Sequence, residues 1–194
     1  MFKTVITADD GPVVLLADVK TYGEYQSTDQ DDELTALIAE ASVWIKKYLN
    51  IPVLDEAWKL TYDRNELSNK LELQGLNVTS IESYKVIQEN GTENTVTSDK
   101  YRLSNGFIIF DTATSAGVVD GNSSRFYDAV EISVNAGLGD EIANLPDDFK
   151  LAMYMLVTHW QQNNIIDFDN QYQITPPNFR KIIMPYVNRK SWVG

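Results

Sequence analysis

Cysteine is absent from the 194 residues, and histidine occurs once, at His159. The first absence excludes disulfides and thiolate metal sites, and makes a cytosolic origin the default. The second leaves no partner histidine for a metal site, and none of the HxH, HExxH, GxSxG, P-loop or dinucleotide-binding patterns occurs. No apolar run reaches the ~20 residues that a membrane-spanning helix needs, so no membrane partner is expected. The opening "MFKTVITADDGP" turns acidic before it could form a signal-peptide core, and secretion is not expected. Basic residues are scarce: 16 Lys and Arg stand against 28 Asp and Glu, a formal net charge of −12. A protein that grips nucleic acid neutralises phosphates with Lys and Arg, so general DNA binding is disfavoured. A role near DNA without adhesion to it is compatible with this charge, as is simple solubility.

What is present is the composition of a folded chain, 43% hydrophobic and 11% aromatic, in a length that suits one core or one domain with a sizeable insertion. Residues 14–25, "VLLADVKTYGEY", read as a short first helix. "DDELTALIAEASVWIKKYLN" places Leu34, Leu37, Ile38, Ala41, Ile45, Tyr48 and Leu49 at helical spacing. Its acidic first turn and its Lys46 and Lys47 suit the helix dipole at both ends. From about residue 56 to 136 short alternating runs take over: "WKLTY", "KLELQ", "SIESYKVI", "YRLS", "FIIF" and "AVEISVNA". Turn signals such as "ENGTEN" and "SNG" separate them, and residues 111–128 hold little that could pack, as in a surface loop. Helical periodicity returns after Pro146, with Phe149, Ala152, Met153, Leu156, Val157 and Trp160 on one stripe. The expected fold is therefore α+β: a helical bundle of N-terminal and C-terminal helices, residues 1–53 and 138–194, with an inserted antiparallel β-rich subdomain at 54–137.

The third helix also carries Leu151, Tyr154 and Met155 on its other side, where a surface helix would be polar. Burial on two sides follows, against either the β block or a neighbouring subunit. His159 lies roughly 90° from the centre of the stripe at about 100° per residue, with no orienting partner or adjacent nucleophile in the local sequence. It reads as a boundary histidine whose nitrogens find local partners. "DFD" at 167–169 reads as a solvated turn. Asp29, Asp31, Asp32 and Glu33 lack the glycine and the ligand spacing of a calcium loop and read as a helix start. No catalytic residue, metal ligand or cofactor is expected. The closing "YVNRKSWVG" differs from the rest: Arg180, Lys181, Arg189 and Lys190 cluster beside Tyr186 and Trp192, and such residues anchor protein interfaces.

In order, these segments resemble the head–tail connector (adaptor, or head-completion) proteins of tailed bacteriophages, in the branch with a β-rich insertion between helical parts. "PVVLLADVKTYGEY" is similar to the family's opening Pro-Val-x-Leu-x-Glu-Ala-Lys helix, and "DQDDELTALIAEASVWIKKYLNIPV" to its second helix. "EAWKLTYD" is similar to its Gln-x-Trp-x-Leu strand, "LELQGLNVTSIESYKVIQENGT" to the strand pair that follows, and "YRLSNGFIIF" to its next hairpin. "LPDDFKLAMYMLVTHWQQNN" resembles its Val-Pro-x-x-Ile-x-x-Ala helix ending in His-Trp-Tyr, with Gln161 in place of the last aromatic. "IIMPYVNRKSW" is similar to its closing Leu-x-Pro-Tyr segment.

The resemblance implies a structural, non-enzymatic virion protein: a homo-oligomeric ring, commonly dodecameric, beneath the portal of a filled capsid and above the tail or neck proteins. DNA passes through the ring without specific binding, and the ring helps to retain the packaged genome. In that frame Tyr186, Arg189, Lys190 and Trp192 are expected to dock on the portal, Leu151, Tyr154 and Met155 to contact a neighbouring subunit, and Asp29, Asp31, Asp32 and Glu33 to face the channel. Two other classes stand beside it. A module binding cell-wall or host-surface carbohydrate would turn Trp58 or Tyr84 outward as an aromatic platform; both are expected to face packed surfaces. A carboxylate-based hydrolase would need a cleft with two facing carboxylates.

Overall fold

The computed structural model describes residues 2–8, 11–63, 70–73, 75–88, 90–104, 106–110, 127–163 and 174–187. Among them the fold is mixed α+β, with antiparallel strand pairing throughout both sheets. The chain divides into two compact units, one of residues 1–8 with 55–137 and one of residues 9–54 with 138–194.

The second unit is helical. Helix α1 (Leu16–Gly23) is shorter than the sequence reading of 14–25: Val13 and Val14 are buried in a bend ahead of it, and Leu15 is extended. It ends at Glu24, whose left-handed backbone (φ 56°) turns the chain. A Cβ at Gly23 would meet the Tyr25 ring at 2.2 Å, so a larger residue there would require that ring to move. Helix α2 (Asp31–Leu49) buries Leu34, Ile38, Ala41, Ile45 and Leu49, an i, i+4, i+7, i+11, i+15 stripe. Asn50 ends it in the left-handed region, its N–H donating to the Lys46 carbonyl at 3.0 Å. Ser42 lies within the stripe and is satisfied twice: its hydroxyl donates to the Ile38 carbonyl at 2.7 Å and accepts the Val13 N–H at 3.1 Å. That bond fastens the segment before α1 onto α2.

Helix α3 (Asp147–Asn163) buries all six residues of its expected stripe. It packs against α1, α2 and the short α4 (Phe179–Ile183). A turn of 3-10 helix at Met184–Tyr186, containing Pro185, follows α4.

The first unit holds two sheets. Strands β1 (Phe2–Thr7), β2 (Glu56–Asp63), β4 (Val78–Gln88), β5 (Glu93–Thr95) and β8 (Tyr127–Ala136) form one, in the order β1-β2-β8-β4-β5. Strands β3 (Lys70–Glu72), β6 (Tyr101–Ser104) and β7 (Phe107–Phe110) form the other, in the order β3-β7-β6. β8 shows why this region is sheet: Val130, Ile132, Val134 and Ala136 alternate inward and are buried, and the residues between them are half-buried. With Leu60, Tyr62, Tyr84 and Val86 they build this unit's own core.

Two strands depart from the sequence expectation. Residues 2–7, grouped above with the helices, form a strand beside β2. The end of "ENGTEN", read as turn, continues into β5. The polar stretch 111–126 lies outside the described residues. At the root of the sheet unit, Leu138 donates to the Val53 carbonyl at 2.8 Å and Leu54 bridges Gly139, so the chain leaves and re-enters the helical unit at one place.

Candidate functional site

The apolar excess on α3 has an owner within the chain. Tyr154 packs on the helical core, its ring 5.9 Å from that of Tyr22 on α1, and its hydroxyl donates to Asp18 Oδ2 at 3.3 Å. Burial, followed by the nearby Asp18 carboxylate, pushes the Tyr154 phenol up to about 12. The second side that the sequence demanded is therefore supplied in large part by α1. Leu151, one turn earlier, stays 40% exposed, and Met155 is half-buried. These two, with the rim of Tyr22, are the apolar surface left over on this side.

The other end of the chain is tied down by aromatic contacts and two polar bonds. Trp160 is fully buried at the end of α3 and donates its indole N–H to the Ile174 carbonyl at 2.7 Å. Trp44 on α2 meets it edge-on at 6.2 Å, stacks on Tyr48 at 5.0 Å, and lies 5.9 Å from Phe179 on α4. Tyr186 then folds back to the start of α3. Its ring meets Phe149 edge-on at 5.8 Å, and its hydroxyl donates to Asp148 Oδ1 at 2.5 Å. Burial first, and this bond to a carboxylate second, push its phenol up to about 12. Tyr186 thus fixes the point from which the basic-aromatic segment departs. Arg189, Lys190 and Trp192 lie outside the described residues.

The acidic cluster is split by its environment. Asp31 forms an ion pair with Lys20, which also donates to the Ser27 carbonyl at 3.0 Å. Asp29, Asp32 and Glu33 are exposed, as a solvated helix start requires.

A family model described as head completion protein matches residues 13–188. The chain belongs to the head completion protein family. No curated protein matches it in sequence. Its fold is that of neck components of gene transfer agent particles. It superposes on a chain from "Neck of empty GTA particle computed with C6 symmetry" with a TM-score of 0.69 at 17% identity, covering 100% of this chain and 99% of that one. Chains from "Virion of native gene transfer agent (GTA) particle" and "Neck of native GTA particle computed with C12 symmetry" each give 0.67 at 16% identity, with the same coverage.

His159 is half-buried and its Nδ1 lies 3.1 Å from the Asn163 side-chain amide, which also donates to the His159 carbonyl at 2.8 Å. Among the described residues no group of three His, Cys, Asp or Glu could hold a metal ion, and no helix is long and apolar enough to cross a membrane. Residues 167–169 lie outside the described residues. Tyr84 is buried, its ring 5.5 Å from Tyr101, and Trp58 packs against the sheet core with its indole N–H buried and without a partner among the described residues. Neither forms an outward platform. The sequence reading missed a different surface: β1, whose Phe2 (68%), Ile6 (56%) and Val5 (40%) are exposed. Four consecutive β-branched residues, Thr4 to Thr7, were the available signal.

Proposed function

We propose that this head completion protein is a structural adaptor that forms a homo-oligomeric ring in the virion neck, between portal and tail, with DNA passing through it. Support comes chiefly from one observation: family membership across residues 13–188 combined with end-to-end likeness to neck chains of particles solved with C6 and C12 symmetry. On this reading the protein is not an enzyme. The helical unit is the frame of the connector, and residues 54–137 are an insertion into it. Leu151 and Met155, with the rim of Tyr154, lie toward a neighbouring subunit. Asp29, Asp32 and Glu33 line the channel side with Asp31, where negative charge repels phosphates and lets DNA slide while the ring helps to retain it.

Docking on the portal is assigned to Arg189, Lys190 and Trp192, with Tyr186 as the anchor that holds their base. Deleting residues 188–194 leaves that anchor in place. Portal binding by the purified full chain should then be lost while its oligomeric state persists; unchanged binding removes the docking assignment. The ring itself is tested by electron cryo-microscopy of the assembled particle. The expected result is a closed ring of this chain directly below the portal, and its absence from that layer overturns the reading.

A further inference from the structure

We infer that β1 is a joint between neighbouring copies: its open edge pairs with the uncovered stretch of β4 in the next copy, so that the five-stranded sheet runs on from one subunit into another. The inference rests on the ring reading and adds a surface that closes it.

β1 has one strand neighbour, β2, and forms an edge of its sheet. An edge strand presents unpaired N–H and C=O groups, and proteins usually blunt such edges with charge, proline or bulges. β1 has no proline, and its blunting is limited to Lys3 and a register irregularity between Val5 and Thr7. All six of its residues are exposed, and Phe2, Val5 and Ile6 put apolar surface there. The opposite edge of the same sheet is incomplete. β5 pairs with Lys85, Val86 and Ile87 of β4, and among the described residues no strand pairs with Val78 to Ser83 on the side away from β8. Six uncovered residues match the six of β1.

Direction and charge agree with the pairing. Antiparallel steps from β1 to β2, β2 to β8 and β8 to β4 make β1 antiparallel to β4 within one copy. A rotation about an axis along the strands keeps that sense, so a neighbour's β1 meets β4 antiparallel. A ring needs two different surfaces on each copy, and the two edges are different. Matched end to end, β1 sets Lys3 opposite Glu82. Glu82 sits at a register irregularity of β4 and is exposed, its carboxylate accepting from Ser80 Oγ at 3.0 Å and Asn135 Nδ2 at 2.9 Å, both neutral donors. An ammonium group opposite it supplies the cation of a cross-strand pair.

The absence of cysteine makes the test clean. Within one copy β1 and β4 are three strand spacings apart, about 14 Å, beyond disulfide reach, whereas opposed residues of an antiparallel pair are within it. The full-length double variant Lys3→Cys with Glu82→Cys is oxidised under conditions where native mass spectrometry shows rings, on portal if the free chain forms none. The expected result is a ladder of disulfide-linked multimers in denaturing gels, lost in either single variant. Likewise Lys3→Glu should lose rings and Lys3→Glu with Glu82→Lys should regain them. Rings without the ladder overturn the joint and leave the ring reading standing. Crosslinked dimers from Lys3→Cys alone indicate β1 paired with β1 and also overturn it. A chain that forms no ring, free or on portal, overturns both readings.

Discussion

The helical and sheet units spend their aromatic and apolar residues in opposite ways. In the helical unit Tyr48, Trp160 and Phe179 gather around Trp44, Phe149 meets Tyr186 in a separate ring contact, and Trp160 and Tyr186 are each fastened by a polar bond. The sheet unit buries Tyr84 and the alternating residues of β8, yet leaves Phe2 and Ile6 on an edge strand in solvent. The adaptor role we propose would use both habits: one part keeps its shape, and another keeps surface in reserve for partners. A large exposed apolar residue on an edge strand is informative in a way that a single exposed leucine on a helix is not.

Substitutions can break or sharpen this contrast. The largest effect is expected from Trp160→Ala, which empties a fully buried site and orphans the Ile174 carbonyl. A loss of about 3–5 kcal/mol is expected in urea unfolding, whereas Trp160→Phe, which keeps a ring, should lose clearly less. Next comes Ile132→Ala at the centre of the sheet, with a loss of about 2–5 kcal/mol. Its local signature is faster hydrogen exchange across β2, β8 and β4, with the helical amides as the internal comparison.

Smaller is Tyr186→Phe, which removes one hydrogen bond near solvent and should cost about 1 kcal/mol by the same unfolding assay. The pH dependence separates this bond from packing. A phenol held at about 12 in the folded chain, against the ordinary value near 10, favours folding fully below pH 10 and loses that contribution as pH rises toward 12. Ultraviolet titration should therefore show Tyr154 and Tyr186 ionising after the exposed tyrosines, and Asp148→Asn should bring Tyr186 alone downward. The smallest effect on the free chain belongs to Phe2→Ser. Its unfolding free energy should stay within about 0.5 kcal/mol of the parent, while assembly suffers. A stability loss as large as that of Ile132→Ala would mean that β1 is core and not reserve.

The sequence made the two long helices readable, because each carries an uninterrupted stripe at 3.6-residue spacing and a charged or proline start. It made β2, β4 and β8 readable by alternation. β1 was not readable by alternation, because a strand exposed on every residue has no inward face to set a period, and only its β-branched run marks it. β5 was missed because three polar residues after a turn look like more turn. The partners of Tyr154 and Tyr186 were hidden for another reason: Asp18 lies 136 positions away and Asp148 lies 38 away, and local spacing carries no such information. That is why the bonds by which Tyr154 and Tyr186 hold this chain's own elements together could not be read from local spacing.

Native mass spectrometry of the intact protein, free and mixed with its portal, bears most directly on the claim that this chain works by assembling with itself. The expected spectrum contains a discrete closed multiple of the chain in at least one of the two samples. A single copy in both, correctly folded by circular dichroism, contradicts the claim.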